Sequence, residues 1–126
     1  MRINQEHIQK LLKHTIGNKG ASLRLIDNKV LGSELKLDKG YMVGNIDIIH
    51  VKSKDLTLTD MVTICNNRVV GLTYDKEHFL GSWYDESGFY IDLSLHILDK
   101  DEAIKEGKRN KQKAIYDIAS GESIYL

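Results

Sequence analysis

Proline is absent from these 126 residues, and cysteine occurs once, as Cys65. Without proline there are no stiff extended linkers, and no repeat or low-complexity tract divides the chain, so 1–126 is expected to be a single domain. A lone cysteine excludes an intramolecular disulfide. No run approaches the roughly 18 consecutive apolar residues that cross a bilayer, and the opening MRINQEHIQK lacks the apolar stretch of a signal peptide. The expected compartment is the cytosol.

Net charge is missing as well, because 18 basic residues cancel 18 acidic ones. No whole-protein field then draws the molecule to DNA, RNA or an anionic membrane, so none of these is expected as a partner. The same balance leaves little repulsion between copies and permits self-association. The length suits one hydrophobic core.

What is present reads as α+β, predominantly an antiparallel sheet. Asn4 as N-cap, followed by Ile8, Leu11 and Leu12 on one face, predicts an N-terminal helix over 4–15 that stops at Gly17-Asn18-Lys19-Gly20. Alternation predicts strands around Leu23 and Leu25, around Leu35 and Leu37, and from Tyr41 to Val51. Leu56, Leu58, Val62 and Ile64 predict another strand, with Asp60 marking a bulge or an edge, and Asn66-Asn67 predicts a tight hairpin turn into Val69–Leu72. The cleanest alternation, Phe89, Ile91, Leu93, Leu95 and Ile97 against Tyr90, Asp92, Ser94 and His96, predicts a strand over 89–97, joined through Asp85–Gly88 to Gly81–Tyr84. Asp99 with Glu102 resembles a capping box opening a helix to about Asn110, whose small residues Ala103 and Gly107, with Ile104, suit close packing on the sheet. Strands 114–118 and 123–126 flank Ser120-Gly121.

Signs of catalysis are sparse. His50, His78 and His96 lack the spacings of a metal site, and no nucleophile elbow or phosphate loop is present. No catalytic residue, metal ligand or cofactor is therefore assigned, and Cys65 is expected to be a buried structural thiol. Binding is better served. Phe79, Trp83, Tyr84, Phe89 and Tyr90 fall within twelve residues of a chain that is 7% aromatic. Asp92 lies mid-strand between Tyr90 and Ser94, about 6–7 Å from each along the strand. From Lys100 to Lys113 there are six basic and three acidic residues, with Lys105, Lys108 and Arg109 on one helix side. Such a flank is either a solvated face matched to the helix dipole or an anion site.

The C-terminal half resembles a module of small phage and mobile-element proteins. The shared pattern runs through Gly81 and Trp83, Tyr90 with Asp92, Leu93 and Ser94, Glu102 and Ala103, and Gln112 with Ala114 to Asp117, about 45 residues in all. Functionally it resembles the phage sponges that counter the Thoeris defence by sequestering cyclic ADP-ribose isomers. The resemblance implies a non-enzymatic homo-oligomer, dimer or higher, in the host cell cytosol, with a small cyclic nucleotide as partner. It implies that Trp83 or Phe79 stacks on adenine, that Asp92 meets polar ligand edges beside Tyr90 and Ser94, and that Lys105, Lys108 and Arg109 neutralise the pyrophosphate. Positions 105 and 108 depart from the arginines common in such modules, and lysine lacks the bidentate fork. A phage inhibitor that binds a host defence enzyme, and a small phosphodiesterase using Asp92 and His96, are the alternatives. The ligand reading requires the cationic helix flank and the hydrophilic side of the Tyr90 strand to open onto one hollow, within a subunit or across two.

Overall fold

The computed structural model describes residues 1–51, 56–73 and 77–126. In chain order these form α1 (Gln5–Asn18), β1 (Gly20–Arg24), β2 (Lys29–Val30), β3 (Tyr41–Val51), α2 (Leu58–Arg68), β4 (His78–Asp85), β5 (Gly88–Ile97), α3 (Lys100–Arg109), β6 (Ala114–Asp117) and β7 (Glu122–Tyr125). The strands make one sheet of order β2-β1-β4-β5-β3-β6-β7, antiparallel at every pairing. The fold is α+β, with an N-terminal helix, and among the described residues no helix is long and apolar enough to cross a membrane.

The alternation over 89–97 organises everything else. Phe89, Ile91, Leu93 and Leu95 point to one face, where the first three join Leu23, Leu80 and Ile49 of neighbouring strands and Ile8, Leu11, Met61 and Cys65 from α1 and α2. Helix α3 lies on this same face: Ala103 packs on Val43 and Ile115, and Val43 is the direct neighbour of Leu95 across β3 and β5. A Cβ on Gly107 would sit 2.9 Å from Ile115 and 2.7 Å from Leu126, so glycine there permits the close approach. The three helices of the described residues thus cover one side of the sheet.

The helix ends are chemically explicit. Asn4 caps α1 reciprocally with His7, which accepts the Asn4 N–H at Nδ1. Helix α1 runs to Asn18, past the expected stop, and it is Lys19 rather than a glycine that adopts the left-handed cap, at φ 64°. Inside, Thr15 donates to the Leu11 carbonyl, so the buried Ser82 hydroxyl donates to Thr15 and ties α1 to β4.

Three expected strand regions differ, among them 69–72, which leaves a helix as a turn and forms no strand. Residues 34–37 form no strand; Leu35 makes one bridge to Leu31, and the short β2 pairs with β1 instead. The largest difference is α2. Thr57 and Asp60 form a reciprocal capping box, so Asp60 marks a helix start rather than a bulge or edge. Met61, Cys65 and Val69 then recur every four residues and are buried, which makes 58–68 a helix despite its β-branched content. Asn66-Asn67 lies within it and turns no hairpin. The Asn66 amide accepts from Ile3 N–H and donates to the Ile3 carbonyl, both at 2.7 Å, clamping the N-terminal segment to α2.

Candidate functional site

Among the described residues no helix lies on the other face of the sheet, and its register rows can be read strand by strand. One row runs His50 (β3), Tyr90 (β5), Trp83 (β4) and Gly20 (β1). The next runs Asp47, Asp92, Gly81 and Ser22, and a third runs Gly44, Ser94, Phe79 and Arg24. Met42 and Tyr116 continue the face onto β6, and Ser123 onto β7.

In the first row the rings stack. His50 lies 4.1 Å from Tyr90 at 15°, and Tyr90 lies 3.9 Å from Trp83 at 6°. The column ends at Gly20, which offers no side chain to cover the outer face of the indole. Strand β2 pairs only with Leu23 and Arg24, so it does not reach this end of β1. Trp83 is 41% exposed. A planar group could extend the stack over Gly20, since aromatic faces attract one another at such offsets.

Beside the column lies a shallow trough of about 900 Å³, lined by Ser22, Gly44, Gly81, Trp83, Asp92, Ser94, Gln112, Tyr116 and Ser123 among others. Its floor depends on two glycines. A Cβ on Gly81 would meet Asp92 Oδ1 at 2.7 Å, and one on Gly44 would meet Gln112 Oε1 at 2.5 Å, so both side chains lie flat across the sheet where neighbours would otherwise project. Ser94 donates to Asp92 at 3.3 Å. Burial, the largest influence, and the facing charge of Asp47 push the Asp92 carboxyl above the usual carboxylate range, against the hydrogen bonds from Ser94 and Trp83. A carboxylate kept where it is poorly solvated, in a concave surface, is a mark of a binding site.

That placement has a cost with a definite sign. Because native Asp92 binds its proton more tightly than the unfolded chain does, stability is greatest below the unfolded carboxylate value and falls as pH rises through the raised native value. Asp92→Asn is therefore expected to unfold at a higher temperature than the parent at pH 7, with the difference closing toward pH 3.5. Thermal unfolding of both proteins across that range checks it.

The eight expected site residues divide. Trp83, Tyr90, Asp92 and Ser94 share the helix-free face. Phe79 belongs to it by register but is 0% exposed, edge-on to His96, so the expectation that it stacks on a ligand is corrected: it is a core residue. Lys39 and Gly40 lie against that end, where His96 Nε2 donates to the Lys39 carbonyl and a Cβ on Gly40 would collide with the imidazole. Lys105, Lys108 and Arg109 are exposed on α3, on the opposite side of the sheet. Lys105 and Arg109 line a separate depression of about 700 Å³ with Glu77, Asp99, Glu102 and Glu106, and Arg109 is paired to Glu106 of its own helix at 2.9 Å. Within one subunit, the cationic flank and the Tyr90 face do not open onto a common hollow.

In the sequence Gly81 and Gln112 stand out only as members of the shared pattern, and nothing marks Gly20, Gly44 or His50 as part of the site. Their signal is cross-strand register, which only pairing reveals. Cys65 is buried and its thiol is pushed up to about 12 by desolvation, as suits a structural cysteine. Among the described residues no cluster of His, Cys, Asp or Glu could hold a metal ion. The fold and site together define an α+β protein with one helix-covered sheet face and one open face bearing an aromatic column and a desolvated carboxylate. No family model matches the chain, and no curated protein or solved structure does either.

Proposed function

We propose that this chain is a phage-encoded anti-defence sponge of the Thoeris type, which binds a cyclic ADP-ribose-type nucleotide and sequesters it without cleavage. The observation that carries the reading is the stacked column ending in a half-open Trp83 beside Asp92. An adenine laid on the outer indole face would meet the trough, where Asp92 accepts from exocyclic or ring N–H groups and Ser22, Ser94 and Gln112 answer the sugar. Because Lys105, Lys108 and Arg109 lie behind the sheet, they do not meet a pyrophosphate held at the trough of their own subunit, and the sponge is proposed as a homo-oligomer on the resemblance alone. Holding a ligand needs enclosure, not a nucleophile, and the buried high-pKa thiol of Cys65 supplies none.

Native mass spectrometry of the protein incubated with cyclic ADP-ribose isomers, followed by denaturation and analysis of the released ligand, tests this. Retention and release of the unaltered cyclic species is the expected result. Release of linear ADP-ribose would make the protein a hydrolase, and no retention of any isomer would end the sponge reading.

A further inference from the structure

The trough and its surroundings differ in charge from what a phosphate pocket requires. No Lys, Arg or His is among the described residues lining it, whereas the Asp92 carboxylate is. Asp47 faces Asp92 directly across β3 and β5, and its charge adds to the same negative field. The nearest row on this face that carries a guanidinium is that of Arg24, which is already committed: it bonds Asp27 through Nε and Nη2, at 2.6 Å for the shortest contact, and Glu77 through Nη1 at 2.7 Å.

The remaining groups favour a neutral, donor-bearing ring and hydroxyls. Serine hydroxyls at 22, 94 and 123 and the Gln112 amide can each give and accept hydrogen bonds, and Asp92 accepts them. Stacked indole and phenol rings beside carboxylates attract electron-poor or partly positive ring edges and repel phosphate. Binding a phosphate here would place it beside a like charge with no cation among the described lining residues to offset it.

We infer that the open-face trough recognises the base and ribose of its ligand and leaves the phosphates outside it, so that a neutral nucleoside is held about as tightly as its nucleotide. This rests on the nucleotide-binding reading and specifies which end of the ligand a single subunit reads. It also implies weak salt dependence, since no phosphate contact is made in the trough.

The test titrates adenosine, AMP and cyclic ADP-ribose into the protein and follows the emission of Trp83, the sole tryptophan. Adenosine and AMP are expected to bind within about threefold of each other, with little change between low and physiological salt. AMP binding tenfold or more tightly than adenosine, or cyclic ADP-ribose binding where adenosine does not, would overturn the inference while leaving sequestration standing. Failure of all three ligands to bind would overturn both. Gly81→Ala, which drives a Cβ into the Asp92 carboxylate, is expected to weaken adenosine and AMP alike by displacing that group. Weakening of AMP alone would overturn the assignment of Asp92 to the base.

Discussion

Trp83→Ala is expected to weaken ligand binding by roughly 5- to 150-fold, corresponding to the about 1–3 kcal/mol that stacking of one base on an aromatic side chain contributes. The indole is 41% exposed, on the open face of the sheet, so its truncation should cost less than removing a core aromatic, and the domain should remain folded by circular dichroism. Calorimetric titration replaces the fluorescence readout, since no other tryptophan is present. Trp83→Phe keeps an aromatic face and the contact with Tyr90, so it is expected to recover part of the affinity. Unchanged affinity in a folded Trp83→Ala protein would remove the column from the site.

Phe79→Ala is expected to do the reverse. Four positions earlier on the same strand and on the same face by register, Phe79 is fully buried, with its ring centroid 6.3 Å from His96 at 76°. Truncation should cost about 3–5 kcal/mol of stability, a fall in melting temperature on the order of 10–20 °C, while the folded fraction keeps its ligand affinity. His96 is anchored independently of Phe79, to Glu77 through Nδ1 and to the Lys39 carbonyl through Nε2, so the end of the face should loosen rather than invert. The Glu77 carboxyl within that cluster sits below its usual range: burial works against ionisation, and the hydrogen bonds from His96 and Arg24 outweigh it. A loss of affinity without loss of stability would return Phe79 to the ligand site.

The opposite fates of these two aromatics show where local pattern stops. Both fall on the same face of β4, and nothing in the string HFLGSWYD separates a ring buried edge-on to His96 from a ring beside Gly20. The same limit explains α2. Its Thr57 and Asp60 were available as a capping pair, but Leu58, Val62 and Ile64 with their threonines also satisfy a strand rhythm, and β-branched residues favour that reading. Burial of Met61, Cys65 and Val69 on a helical period outweighed the propensity.

Elements whose cause is local were legible without coordinates. The uninterrupted alternation of 89–97 defines β5, because side chains on a pleated strand point alternately to its two faces. Asn4 and Asp99 mark the starts of α1 and α3, because an N-cap satisfies orphan backbone donors within three residues of itself. The antiparallel α+β class follows from those pieces. Register and layering are matters of distance along the chain folded back on itself. The stacking of His50, Tyr90 and Trp83 joins residues up to 40 positions apart, and α3 chose the helix-covered face because Ala103 and Gly107 fit against Val43 and Ile115. That packing, driven by apolar burial and not encoded in any short window, is what sent the lysines and Arg109 behind the sheet and left Asp92 with no cation among the described residues lining its trough.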